Sequence, residues 1–145
     1  MDELTHRRFE DYNFPEETTQ MFAEILAADS LLASVLLFIT KTVQLNKQEN
    51  IEITGVTVNQ ITNEVIVKKP VKHTVKNKRI YFEKKEAPID RKHAERLLQN
   101  LLKMSLCYYS NPSGRTYFYY PTIRGIQVLQ RAIEIKNQVN NKEEN

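Results

Sequence analysis

Glycine is nearly missing from this sequence, with three in 145 residues. That excludes glycine-rich loops built to cradle phosphates, and no Gly-x-Gly or Walker-type run occurs. Cysteine is scarcer still: Cys107 stands alone. No internal disulfide can form, which points to a reducing, cytoplasmic setting. A long apolar run is also wanting. Leu31 to Ile39 is almost wholly apolar but short, and Met21 to Ile39, about the length of a short membrane span, contains Glu24 and Asp29. A buried helix that also dimerises is the expectation, not a membrane segment. The first twenty residues are polar and acidic, without the apolar core of a signal peptide. His6, His73 and His93 lie far apart and make no zinc spacing with Cys107, and no serine sits in a nucleophile-elbow context. No catalytic residue, metal, cofactor or small-molecule ligand is therefore expected, and the chain does not read as an enzyme.

What is present is an ordinary globular composition with an uneven charge. Hydrophobic residues make up 41% and charged residues 27%, enough for one domain with a real core and against overall disorder. The net charge of +3 hides an asymmetry. Residues 1–25 carry seven acidic side chains against two arginines, residues 68–85 carry eight Lys and Arg against one glutamate, and residues 88–137 carry eight against three. A basic middle and C-terminal half favours a polyanionic partner, the alternative being lysines that serve solubility.

Along the chain, residues 1–14 lack periodicity and read as a flexible acidic arm. A single domain is expected over 15–137, with a disordered polar tail over 138–145. Pro15, Glu16 and Glu17 mark a helix start, followed by Met21, Phe22, Ile25 and Leu26. Asp29-Ser30 either caps a second helix or lies within one long one. Residues 46–50 read as a polar connector. Ile51–Val58 and Val65–Val67 are β-branched and read as strand, although 56–67 could instead be a short helix. Residues 52–88 are thus a basic, β-rich insertion or ribbon: Lys68 to Lys78 forms an exposed loop or ribbon, and Arg79 to Glu83 a short strand.

Residues 89–135 are the most informative stretch. Asp90 is an N-cap type whose carboxylate can accept orphan backbone N–H bonds. Ala94, Leu97, Leu98, Leu101, Leu102 and Ser105 recur at helical spacing, while Lys92, Arg96, Gln99 and Lys103 fall on the opposite face. Residues 106–120 form a hairpin: a tyrosine-rich strand, a turn at Asn111-Pro112-Ser113-Gly114, and a second strand from Arg115 to Tyr120. Tyr108, Tyr109, Tyr117, Phe118, Tyr119 and Tyr120 are expected to alternate across that hairpin, half of them in the core, ahead of a base-stacking role. Thr122 opens a last amphipathic helix through Ile123, Ile126, Val128, Leu129, Ala132, Ile133 and Ile135.

The helix Asp90–Met104, the hairpin with its Asn-Pro-Ser-Gly tip, and Pro121-Thr122-Ile123-Arg124-Gly125 resemble the winged-helix regulators, a broad family of DNA-binding proteins. The expected fold class is α+β: a winged-helix domain with a long N-terminal helical segment, a β-rich basic insertion and a C-terminal helix. The resemblance implies a helix in the major groove and a wing against backbone or minor groove. By it Arg91, Lys92, Arg96, Gln99 and Lys103 would face DNA and Arg115 would reach from the wing. Lys72, Lys76 and Lys78, in the lysine run, would add phosphate contacts. The family places a short helix and a tight turn just before the recognition helix, and 51–88 departs from that pattern. The expected partner is double-stranded DNA, bound by a homodimer that pairs through Pro15–Val43, Leu32 and Leu36 included, with the helix from Thr122. Its role would be transcriptional regulation or DNA organisation. The alternative is a protein-interaction module whose basic helix docks on an acidic partner.

Overall fold

Helix boundaries follow the capping residues closely. In a computed structural model that describes residues 7–74 and 80–143, with the backbone alone for 69–74, 81–82 and 142–143, helix α1 (Glu16–Ala28) starts directly after Pro15. Asp29 ends it and caps the next: its carboxylate accepts from the Leu32 N–H at 3.1 Å, and α2 (Ser30–Gln48) leaves at 111° to α1. The two form a bent pair and not one long helix. No single described helix is long and apolar enough to cross a membrane.

Helix α2 is the spine of the core. Leu32, Val35, Leu36, Ile39 and Val43 are buried, with α1, α4, α5 and β4 packed around them. The expectation that one small domain leaves Leu32 and Leu36 for a partner is thereby corrected, since the chain covers both itself. Residues 46–48 are helical too, contrary to the expected connector. The helix ends with Asn50 at φ 58°, the Ile51 N–H bonded to the Asn46 carbonyl and the Asn50 N–H to that of Lys47. That paired arrangement closes a helix with one left-handed residue, which asparagine tolerates.

The β-branched stretch from Ile51 does not form the expected strand. Val56 alone pairs, exchanging backbone bonds with Tyr119 at 3.0 and 2.8 Å. Helix α3 (Val58–Glu64) follows, opened by a capping box: the Gln60 N–H donates to the Thr57 hydroxyl and the Thr57 N–H to the Gln60 side-chain oxygen. Val58 and Ile61 are buried, so the helical alternative for this segment is the observed one.

Strands β1 (Ile66–Thr74) and β2 (Ile80–Pro88) then pair as a two-stranded antiparallel ribbon, longer on its second strand than Arg79–Glu83. At its base the Ile89 N–H donates to the Val65 carbonyl at 3.0 Å. The register continues that pairing, Val67 opposite Ala87 and Lys69 opposite Lys85. Ladder bonds alternate in an antiparallel pair, so Pro70 and Pro88 fall at positions whose N–H would point outward, and their missing donors cost no ladder bond. The bond from Ile89 to Val65 has a second consequence. The end of α3 and the start of α4 (Arg91–Lys103) are neighbours, as though the ribbon had been spliced into the turn between two helices.

The second sheet is β3 (Cys107–Ser110) with β4 (Phe118–Pro121), Tyr108 opposite Tyr120 and Tyr109 opposite Tyr119. The hairpin turns at Asn111 to Gly114, with Gly114 at φ 78°. Its second strand begins at Phe118, three residues after the expected Arg115. Helix α5 (Ile123–Glu143) packs along α1. It continues through most of the segment expected to be a disordered tail: no proline or glycine interrupts residues 126–143, and Lys136 bonds the Ser30 hydroxyl at 3.0 Å. Five helices and two small antiparallel sheets among the described residues make the architecture mixed α+β.

Candidate nucleic-acid interface

The interface is built on α4, whose two faces separate cleanly. Ala94, Leu97, Leu98, Leu101 and Leu102 are buried, and Lys92, Arg96, Gln99, Asn100 and Lys103 are exposed. Lys92, Arg96, Gln99 and Lys103 lie at offsets of four, three and four residues, so they share one side of the helix. Each is free of side-chain hydrogen bonds and ion pairs to described residues. Arg91 is different. Its guanidinium bonds Glu95 at 3.1 Å and the Asn59 side chain of α3 at 2.6 Å, so it ties the two helices together. Glu95 adds an exposed carboxylate to the same side, which the sequence expectation did not weigh. Asp90 takes the N-cap position in extended geometry, but its side chain makes no cap bond, contrary to expectation.

The far end of α4 is held by its neighbours. Ser105 stands at φ 60°, its N–H bonded to the Leu102 carbonyl and the Leu106 N–H to that of Leu101. The helix therefore ends before Ser105, which leaves the buried stripe one member short of the expected set. A left-handed serine costs conformational energy that glycine would not, and three groups hold it. Thr122 Oγ1 and Arg124 Nε both donate to the Ser105 carbonyl, at 2.9 and 3.2 Å, and Arg124 Nη2 donates to the Ser105 hydroxyl at 2.8 Å. Thr122 also caps α5, accepting from the Gly125 N–H at 3.0 Å.

Arg124 is the residue that sequence reasoning missed. It is only 4% exposed, and burial lowers its pKa below the usual arginine value. Its guanidinium bonds the carbonyls of Phe9 and Tyr12 and lies over the Phe14 ring at 5.7 Å. Set against the C-terminal end of α4, the buried charge faces the negative end of that helix dipole. Phe9 to Asn13 depart from the loose arm that was expected. The Ile123 N–H bonds the Glu10 carbonyl at 2.8 Å and Gln127 bonds Asn13 at 2.8 Å. Residues 1–6 lie outside the described part.

The hairpin carries Arg115 beside its tip, exposed and without a described side-chain partner, and no described contact joins it to α4. The tyrosines pack on one another, Tyr108 stacked on Tyr120 at 5.1 Å and Tyr109 edge-on to Tyr117 at 5.1 Å. Tyr119 is buried and Tyr117 is 46% exposed, with the rest between. Burial raises the Tyr119 phenol to about 12 and pushes the Tyr108 phenol up as well, so both stay neutral at ordinary pH. Cys107 is buried, and burial raises its thiol pKa well above the usual range, which fits an inert core residue. Lys72 lies on β1 opposite Phe82. Lys76 and Lys78 lie outside the described residues, so the contacts expected of them are not placed. Among the described residues no group of three or more His, Cys, Asp or Glu side chains could hold a metal ion. Searches against protein-family models, curated proteins and solved structures gave no match for this chain.

Proposed function

We propose that the chain is a winged-helix protein that binds double-stranded DNA as a homodimer, in transcriptional regulation or DNA organisation. The observation that carries this is the side of α4 occupied by Lys92, Arg96, Gln99 and Lys103, exposed and uncommitted to any described partner. Arginine and glutamine can read base edges in the major groove, and lysine neutralises phosphate. The element order supports the fold reading. A helix (α2), a short strand pairing at Val56, two helices brought together by the bond from Ile89 to Val65, and a hairpin with an open tip follow one another as in a winged helix with one insertion. In this reading Arg91 fixes the angle between α3 and α4 more than it contacts DNA.

The test separates base readout from phosphate contact. Arg96→Ala and Gln99→Ala should each reduce discrimination between a selected duplex and random duplex by about 1–3 kcal/mol. Lys103→Ala should weaken binding to all sequences alike and flatten its salt dependence, by about 0.9 in the log–log slope for each phosphate no longer neutralised. Discrimination left intact by both Arg96→Ala and Gln99→Ala would move the reading to a module that docks this helix on an acidic protein.

The proposed homodimer contact is the outer side of α1, where Met21 and Ile25 are 52% and 47% exposed one turn apart. Met21→Lys combined with Ile25→Lys should give a folded monomer by light scattering, with a melting temperature lowered only by the lost association and no longer dependent on concentration. A wild-type chain that stays monomeric at roughly tens of micromolar would count against the dimer.

A further inference from the structure

The lysines of the ribbon do not share a side. Successive residues of a strand alternate between faces, and residues directly opposite in the register share one. Lys68 opposite Glu86 and Pro70 opposite Lys84 therefore belong to one face, and Lys69 opposite Lys85 and Val71 opposite Glu83 to the other. Each face carries two lysines against one glutamate over this span, and Lys72, opposite Phe82, extends the first. Lys68, Glu83, Lys84, Lys85 and Glu86 are exposed. The ribbon rises from the junction of α3 and α4, beside the N-terminal end of α4.

A basic ribbon laid flat on a charged surface would use one face and leave the other in water. Both faces are net positive, the first with Lys68, Lys72 and Lys84 against Glu86 and the second with Lys69 and Lys85 against Glu83, which fits a slot with two negative walls. We propose that the ribbon lies edge-on in a groove of the same duplex that α4 engages, each face turned to one phosphate backbone. The fit is reasonable in size: the major groove is about 12 Å wide and admits a two-stranded ribbon. Nine residues at about 3.3 Å each reach about 30 Å, which followed along the inclined groove is less than half of a helical turn. The protein then covers part of a further turn of DNA, on the side of the α4 N-terminus, beyond what helix and wing cover alone. The inference rests on the DNA-binding reading of α4, and its test distinguishes the failure of each.

Two double variants address one face apiece: Lys68→Ala with Lys84→Ala, and Lys69→Ala with Lys85→Ala. Both are measured beside Arg96→Ala on duplexes of about one and about three helical turns, over a series of salt concentrations. Each double variant should weaken binding to the long duplex by a similar factor, and each should flatten the salt slope by about 0.9 per phosphate no longer neutralised. The wild type should prefer the long duplex, and the variant lacking all four lysines should lose most of that preference. A loss confined to one double variant would overturn the groove placement in favour of a flat contact. Two silent double variants beside an impaired Arg96→Ala would remove the ribbon from the interface and leave α4 in it. A wild type that binds neither duplex would overturn both.

Discussion

Gly125→Ala is expected to lower the melting temperature by roughly 10 °C, corresponding to about 3 kcal/mol for a domain of this size. The sign is the informative part. Gly125 lies in the first turn of α5, where replacing glycine by alanine in a free helix would stabilise by about 1 kcal/mol. Here an added Cβ would stand 2.1 Å from the Leu106 carbonyl oxygen and 3.0 Å from its carbon. That carbonyl cannot simply retreat, because it accepts the Thr122 N–H at 3.0 Å and Leu106 itself is buried. The overlap falls on the joint where α4, β3 and α5 meet, so relief requires shifting α5 away from α4. A thermal melt of the variant equal to or above that of the wild type would mean that α5 does not approach Leu106 this closely. Gly114→Ala, at an open turn with φ 78° and nothing near its Cβ, should cost only the left-handed penalty of about 1–2 kcal/mol.

Arg124→Met should be destabilising by about 3 kcal/mol and should also release the N-terminal arm. Methionine keeps much of the volume and the apolar stem but removes the donors to Ser105, Phe9 and Tyr12. The Ser105 carbonyl keeps its bond from Thr122 and the Phe9 carbonyl its bond from the Tyr12 N–H, whereas the part-buried Tyr12 carbonyl loses its described donor, and a buried acceptor without a donor costs about 1–3 kcal/mol. Two consequences can be read separately. Urea unfolding reports the stability loss. Trypsin, cutting after Arg7 or Arg8, should act faster on the folded variant than on the wild type, because the arm has lost its anchor while the core still stands. Loss of stability without faster cleavage would assign Arg124 to the end of α4 alone. If α4 engages DNA as proposed, the variant should also bind duplex more weakly, because Arg124 supports Ser105 at the end of that helix.

Much of the fold could be read locally. The amphipathic spacing of Ala94 to Leu102 placed α4, and the Asn-Pro-Ser-Gly turn placed the hairpin, because both signals involve residues near one another in sequence. Two other features could not be fixed from local pattern. Ile51 to Val67 is rich in β-branched residues, which leaves strand and short helix both open for 56–67; the capping box of Thr57 and Gln60 is the local signal that outweighs propensity. The segment holds both an inserted ribbon and a helix, where either alone had seemed sufficient. The apolar run of α2 gave no indication of what would cover it, since its partners come from α4, α5 and β4, far along the chain. Arg124 escaped notice on the same grounds. Its partners Phe9 and Tyr12 lie more than a hundred residues away, and nothing local distinguishes a basic residue that is buried from one that binds phosphate. Of the candidate contacts, Lys92, Arg96, Gln99, Lys103 and Arg115 are exposed as expected, whereas Arg91 is engaged within the protein.

Engagement of duplex DNA by the exposed side of α4 and the wing is open to a single titration. Wild type and the triple variant Arg96→Ala, Lys103→Ala and Arg115→Ala are titrated against pooled genomic fragments at a low and a near-physiological salt concentration, alongside elution from a simple cation exchanger. The expected outcome is tight wild-type binding at low salt that weakens steeply with salt, later elution from immobilised duplex than from the exchanger, and a large drop in affinity in the triple variant. Unchanged affinity in that variant, or no binding of the wild type to any duplex at low salt, would contradict the DNA-binding reading.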